Sequence, residues 1–396
     1  MSRLLARKLF ENRQEQQGAN GREMSDLGLY LHVPFCLKKC AYCSFYSLPG
    51  RQDCRRYLAA VSKQFRQFSA ERPLISVFFG GGTPTMLPPE DLRLLLTECR
   101  QQFCCSEDAE ISIEVNPATV DLFALQTLQR AGWNRLSIGV QSFQDAELQR
   151  LGRPHTAADA TQTVKLARKA GFTNIGLDLM YALPGQTLRT WQATLAQALR
   201  LAPQHLSIYE LTIEAGTPFA RQQKRDELPL PDEDTVLRML EATGQMVSQA
   251  GFRRYEISNY AQPGCECRHN INYWRNGDWI GLGPSAVSSI AGTRCTAVAD
   301  VDEFCRRMET GEDVWQDRET LDQEAAFRET VVLCLRMTAG VSLLELHRRF
   351  GIDAASYYGE TLTRLIGLGM LEIAQEYLRL TAAGLLLADT VMAELV

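Results

Sequence analysis

Three cysteines, Cys36, Cys40 and Cys43, stand in the run His32-Val-Pro-Phe-Cys-Leu-Lys-Lys-Cys-Ala-Tyr-Cys-Ser-Phe45, directly after an apolar stretch. The spacing C-x3-C-x2-C supplies three thiolates where an ordinary iron–sulfur site supplies four. A four-iron cubane held this way keeps one iron without a protein ligand, and there a small molecule can bind and accept an electron. A closed zinc site asks for a fourth Cys or His, usually from a second C-x2-C pair, and the chain has none. The plain alternative is three packing cysteines at chance spacing. The cluster explains the run better.

An iron with a free position calls for a chelator carrying an amine and a carboxylate. S-adenosylmethionine (SAM) has both, and reductive cleavage of its sulfonium gives a 5′-deoxyadenosyl radical, so the cofactor carries the difficult chemistry. The strand pattern shows where such a ligand would sit. From residue 27 to about 212, short Val/Ile/Leu-rich runs alternate with amphipathic helices six times. This pattern predicts parallel strands, buried on both faces, with right-handed crossovers. The expected class is α/β, a partial (β/α)6 barrel, in which chemistry gathers at the C-terminal strand ends.

That rule picks out the cysteine loop, the run Gly80-Gly81-Gly82-Thr83-Pro84, and Glu114-Val-Asn-Pro117. It also picks out Gln141-Ser-Phe143, Asp178-Leu-Met180 and Tyr209-Glu-Leu211. The glycines let backbone groups approach a ligand, and no Lys-Ser/Thr follows them as in a P-loop. Glu114 and Asp178 can accept from an ammonium or from ribose hydroxyls, and Arg153 can pair with a carboxylate. Taken singly, each is as readily a solvated or salt-bridged residue.

Together these strings resemble the radical SAM superfamily. Tyr30-Leu-His-Val-Pro-Phe-Cys36, Leu136-Ser-Ile-Gly-Val-Gln-Ser-Phe143 and Asp178-Leu-Met-Tyr-Ala-Leu-Pro-Gly-Gln186 are similar to the family of oxygen-independent coproporphyrinogen III oxidases and their haem-chaperone relatives. The resemblance runs from residue 27 over nearly the whole chain. It implies that Cys36, Cys40 and Cys43 hold a 4Fe-4S cluster, and that Tyr30, Gly81, Gly82, Thr83, Glu114, Gln141, Arg153 and Asp178 contact SAM. It also sets Tyr42 beside the adenine and Val287 on a SAM-binding stretch.

Two features separate the relatives. The oxidases carry a further Cys two residues after the third ligand, where this chain has Phe45. The chaperones carry His-Asn-x-x-Tyr-Trp, matched by His269-Asn-Ile-Asn-Tyr-Trp274. Val287 points the other way, because chaperones often have His there. The implied function is a haem chaperone without coproporphyrinogen oxidase activity, the oxidase being the alternative. His269 is the expected haem ligand, since a neutral imidazole is a good axial ligand. Cys265 and Cys267 beside it can offer thiolates. The implied partners are haem, a haem-accepting protein and a protein reductant for the cluster, with peripheral membrane contact left open.

Composition limits the rest. With 42 Lys and Arg against 47 Asp and Glu, and a pI near 5.7, there is no electrostatic footprint for nucleic acid. No apolar run approaches the roughly 20 residues of a membrane span. Twelve cysteines with no hydrophobic signal core point to a reducing compartment and the cytoplasm. The expected domains are an N-terminal extension (1–26), the core barrel (27–230), a connecting region with the Trp/Tyr-rich loop (231–330), and a helical, winged-helix-like module (331–396).

Overall fold

A computed structural model describes residues 26–50, 53–68, 70–117 and 119–396 of the chain. The expected N-terminal extension lies almost wholly outside these described residues. The six predicted strands are present as β1 (Leu27–Val33), β2 (Ala70–Gly81), β3 (Phe103–Val115), β4 (Arg135–Gln141), β5 (Asn174–Tyr181) and β6 (His205–Glu210). They pair in parallel in chain order. Helices α1 (Arg55–Phe65), α2 (Pro89–Gln102), α3 (Leu122–Ala131), α4 (Asp145–Leu151), α5 (Ala157–Lys169) and α6 (Leu188–Arg200) connect them. Local chemistry sets their ends. Thr156 and Asp159 form a capping box at α5, and Gly132 and Gly152 close α3 and α4 in the left-handed conformation.

The strands alternate more than the sequence suggests. In β1, Leu27, Leu29, Leu31 and Val33 are fully buried against the helices, while Gly28, Tyr30 and His32 face the concave side. There the register sets Tyr30 beside Phe78, Glu114 beside Ser137, and Asp178 between Gly139 and Ser207. The outer face makes the apolar core, and the inner face is polar.

The chain after β6 adds to this sheet. Helices α7 (Pro218–Gln223) and α8 (Glu233–Gln249) precede the short strands β7 (Arg253–Arg254) and β8 (Asn259–Ala261), which run antiparallel beyond β6. On the other edge, β9 (Asp278–Leu282) pairs in parallel with β1, and β10 (Val287–Ile290), β11 (Thr293–Ala297) and β12 (Trp315–Thr320) follow antiparallel. The order is β12-β11-β10-β9-β1-β2-β3-β4-β5-β6-β8-β7. Residues 278–320 therefore share the barrel's sheet, and with α10 (Val301–Thr310) they share its apolar core as well.

The Trp/Tyr-rich stretch, expected as a loop, contains the helix α9 (Arg268–Trp274), which plugs the N-terminal end of the barrel. Glu110 on β3 fixes it there. Its carboxylate accepts from the backbone N–H of Arg268 (3.0 Å) and His269 (3.3 Å) and from the Cys267 thiol (3.4 Å), beside the guanidinium of Arg135 (3.9 Å).

The C-terminal module has a core of its own, centred on Phe327, Leu335, Leu346, Leu362 and Leu378. It comprises α11 (Gln323–Leu335), β13 (Val341–Ser342), α12 (Leu343–Phe350), α13 (Ala354–Gly367), β14 (Leu371–Ala374) and β15 (Tyr377–Leu380). It ends in two short helices, α14 (Ala382–Leu386) and α15 (Ala388–Ala393), broken at Leu387. Arg336 lies 4.5 Å over the Trp274 ring, tying the module to the barrel plug.

The plug yields a stability prediction. Glu110→Ala strands two buried N–H groups and leaves Arg135 without its carboxylate. The expected loss is about 3–5 kcal/mol in urea unfolding. A change under ~1 kcal/mol would mean that α9 does not depend on this carboxylate.

Candidate functional site

The C-terminal strand ends form one rim, and the cysteine loop lies across it. The short pairing of Phe35–Cys36 with Leu48–Pro49 closes the loop. Its centre is pinned by Ala41, whose N–H donates to Leu151 O (3.0 Å) and whose carbonyl accepts from Phe219 N (3.1 Å). Cys40 is buried, and Cys36 and Cys43 are half-buried. Cys36 Sγ lies 3.7 Å from Thr83 Oγ1, and Arg153 Nη1 points at Cys40 Sγ from 3.6 Å. Burial pushes the Cys36 and Cys43 thiols up.

The glycine run passes beneath this loop. Gly82 N donates to Val33 O (2.8 Å) and Thr83 N to Phe35 O (2.7 Å). A Cβ at Gly82 would meet Phe35 O at 2.8 Å, and one at Gly81, where φ is +112°, would meet the His32 ring at 2.6 Å. Only glycine fits either position. Tyr30 OH and His32 Nδ1 are 3.1 Å apart, and His32 Nε2 reaches Tyr46 O. Val287 begins β10, and its carbonyl accepts from Trp279 Nε1 (2.8 Å) of β9, the strand that runs beside Tyr30.

Two carboxyl groups face the barrel mouth. Glu114 accepts from Gly81 N (3.1 Å), yet burial, and then the neighbouring Asp178, push its pKa up to about 8. Burial also raises Asp178, against hydrogen bonds from Ser207 and Ser137, the latter at 3.1 and 3.2 Å. Opposite them Arg153 donates from Nη2 to Gly139 O (2.6 Å), while its buried Nε has no acceptor. Gln141 holds a positive φ of 66° at the end of β4, a strained backbone kept at the site. Tyr42 packs with Leu151, Met180 and Phe219 and interacts with Arg153 and Cys40.

Cys36, Cys40, Cys43, Tyr30, Tyr42, Gly81, Gly82, Thr83, Glu114, Gln141, Arg153 and Asp178 are thus brought to one rim. His155 and Ser137 belong there too and were missed from sequence. His155 joins Asn116 Oδ1 (3.2 Å) to Val140 O (3.1 Å), and burial lowers its pKa to about 4. The signal was its position two residues after Arg153.

His269 lies below that rim, its ring 6.4 Å from that of Tyr30. It sits on the barrel floor, 1% exposed, stacked at 5.1 Å on Phe78. Its Nδ1 pairs with Ser76 Oγ (2.9 Å) and its Nε2 with Tyr273 OH (3.0 Å). Burial lowers its pKa to about 3. Both nitrogens are engaged and no face is open, so the expected axial ligand is inaccessible to haem iron in this fold. Cys267 is equally enclosed, its thiol pushed up to about 12 by burial.

The rim suits the groups expected on it. Among the described residues, no three His, Cys, Asp or Glu side chains converge on a point where a single ion could sit. A cubane asks something different, since each thiolate binds its own iron. Two desolvated carboxyl groups favour a cationic ligand such as a sulfonium, and can accept from its amine and hydroxyl groups, while the unpaired guanidinium nitrogen of Arg153 favours its carboxylate.

A parallel α/β barrel with a three-cysteine loop across its C-terminal rim is the architecture of a radical SAM protein, and the profile of the Radical SAM superfamily matches residues 30–198. That of the HemN C-terminal domain matches residues 321–387. The curated relatives narrow the class. "Heme chaperone HemW" of Lactococcus lactis is 33% identical over 363 residues, 91% of this chain and 95% of that protein. HemW of Escherichia coli is 40% identical over 273 residues, 68% of this chain and 71% of that protein. Coproporphyrinogen III oxidase (HemN) of E. coli, described as a radical SAM enzyme, superposes with a TM-score of 0.82 at 26% identity, covering 94% of this chain and 90% of its own. This chain belongs to the HemW family.

Two outcomes are expected. Replacing Cys36, Cys40 or Cys43 by Ser abolishes the iron–sulfur absorbance near roughly 400 nm after anaerobic reconstitution, whereas Cys105→Ser keeps it. A full cluster in any of the first three variants would refute the ligand set.

The second concerns protons. With its pKa near 8, Glu114 is mostly protonated at pH 7. A cation bound against it favours the ionised form, so SAM binding releases a proton and tightens as pH rises toward 8. Calorimetry in buffers of differing ionisation enthalpy reads that proton, and Glu114→Gln removes it. Equal proton release by the variant would take Glu114 out of the binding step.

Proposed function

We propose that the protein is a haem chaperone that holds a 4Fe-4S cluster on Cys36, Cys40 and Cys43 with SAM beside it, and passes haem to an acceptor protein. The observation that carries this reading is the similarity, over 91% of the chain, to a protein named for haem chaperoning, joined to a rim that gathers the residues this reading assigns to SAM. When bound, SAM on a reduced cluster supplies one-electron chemistry. The chain's own part is to orient it. Gly81 and Gly82 bring backbone close, Glu114 and Asp178 take its cationic and hydroxyl groups, and Arg153 takes its carboxylate. Tyr42 and Val287 flank the adenosyl side. A protein reductant and the cytoplasm as the working compartment belong to the same reading. Among the described residues, no helix is long and apolar enough to cross a membrane.

The oxidase reading draws on the shared fold with HemN. Phe45, 69% exposed where the oxidases carry a further Cys, argues against it.

One reconstitution separates the two. The loaded protein is expected to take up haem stoichiometrically, with a Soret shift, and to leave coproporphyrinogen III unconverted. Multiple-turnover decarboxylation without haem uptake would restore the oxidase. Because His269 is a floor residue, His269→Ala is expected to lower stability by about 2–4 kcal/mol, through two lost hydrogen bonds and a cavity, while haem affinity at low temperature stays. Loss of haem binding in a stably folded variant would return His269 to the haem site.

A further inference from the structure

The floor of the barrel holds a charge that the protein leaves unsatisfied. Arg135, at the start of β4, is 1% exposed, and its Nε has no acceptor among the described residues. Its ion pair with Glu110 is stretched to 3.9 Å, beyond hydrogen-bonding distance. That carboxylate is already filled by Arg268 N, His269 N, the Cys267 thiol and the Ser112 hydroxyl. A guanidinium buried without hydrogen bonds is costly unless something else meets it.

Beside it stands a second idle donor. His205, at the start of β6, is fully buried, and its Nδ1 has no partner among the described residues. Burial, and then Arg135, lower its pKa far below the usual histidine range, so the ring is neutral and carries one N–H. Its Nε2 lies 2.8 Å from Tyr255 OH, and that oxygen already accepts from Cys267 N (3.3 Å). The tyrosine proton is therefore donated to Nε2, and the ring proton stands on Nδ1. Both donors crowd one spot. A Cβ at Gly176 of β5 would meet His205 Nδ1 at 3.3 Å and Arg135 Nη2 at 3.4 Å.

The inner face around that spot is small. Ser112 is in register with Arg135, Ser137 with Gly176, and Gly176 with His205, while Ser207 follows two residues on. Packed barrels fill such levels with bulky branched side chains. The rim carboxyl groups are turned elsewhere, Asp178 to Ser137 and Ser207 and Glu114 to Gly81 N. Asn174, in register with Arg135, has an unpartnered Oδ1, and its amide can present either end to a ligand.

We propose that the barrel floor binds a carboxylate, with the Nε–Nη2 edge of Arg135 as a fork and His205 Nδ1–H as the third donor. The planar edge of a guanidinium matches two carboxylate oxygens at once. The ligand enters from the rim, because α9 closes the other end, so it binds before SAM covers it. This site needs neither the cluster nor haem, and it is separate from Arg153 at the rim.

The test uses the full reconstituted chain and sodium acetate as the probe, with sodium chloride at equal ionic strength as the reference. Wild type is expected to give a saturable acetate signal in saturation-transfer NMR and a higher urea midpoint in acetate. Gly176→Ala sets a methyl between the two donors and keeps both. It is expected to weaken acetate binding at least ~10-fold with an unchanged near-UV circular dichroism spectrum. Arg153 and an open iron at the rim also attract carboxylates, and this variant touches neither, so the loss reports on the floor. Affinity that falls from formate to butyrate marks a free small carboxylate as the ligand. Affinity that holds or rises marks the carboxylate arm of a larger molecule.

No saturable acetate binding in the wild type would mean that water meets the two donors, and would overturn the proposal. Equal acetate affinity in Gly176→Ala would overturn it as well. If that variant loses its near-UV spectrum, a crystal structure of the wild type soaked in acetate decides instead. Planar density bridging Arg135 and His205 is expected there, and water in its place overturns the site.

Discussion

The structure depends on the parallel register of six strands whose inner positions are polar. Because the side-chain period is two, aligning Leu29 with Val77 and Val77 with Ile111 in the outer layer fixes every inner residue as well. Gly28, Tyr30 and His32 then face the same column as Ser76, Phe78 and Gly80, and as Glu110, Ser112 and Glu114. A slip of one residue would turn Glu110 and Glu114 into the apolar layer under the helices. The hydrophobic face thus specifies the chemistry of the opposite face without touching it.

That column divides into a floor and a rim, each with acidic side chains but with different compensation. On the floor, Glu110 is met by Arg135, two backbone N–H groups and a thiol, so its charge is bound within the protein. At the rim, Glu114 has one backbone donor and a second carboxyl nearby, and burial prevails, raising its pKa to about 8. A satisfied carboxylate holds structure together, and an under-compensated pair awaits a cation. The same distinction explains His269, a neutral imidazole with both nitrogens occupied, as a member of the floor.

This is also where reading the sequence succeeded and where it stopped. The rim was legible because strand ends announce themselves. Gly80–Thr83, Glu114-Val-Asn-Pro and Asp178-Leu-Met each break an apolar run with groups that packing does not require. The core helices were legible from their amphipathic periodicity. The plug was not. Arg268–Trp274 is seven residues with three aromatic or imidazole rings, weak in helix propensity, and it is ordered by Glu110, some 160 residues earlier in the chain. The edge strands at 278–320 share that difficulty, because Trp315–Thr320 is mostly exposed and polar and gains its conformation from pairing with β11.

The plug also links the two ends of the protein. α9 offers His269 and Asn272 to the barrel interior, while Ile271 and Trp274 pack against the C-terminal core. Arg349 of α12 donates to the carbonyls of Arg275 and Asn276 just beyond the plug. The module thus rests on α9, and α9 in turn is held to β3 by Glu110. Four residues above Glu110 in the same strand stands Glu114. A short helix that reads as a haem motif in sequence is, in the fold, one of the contacts between the module and the strand that carries the rim carboxylate, beside the bridge of Glu256 to Met337 and the Arg294–Glu329 pair.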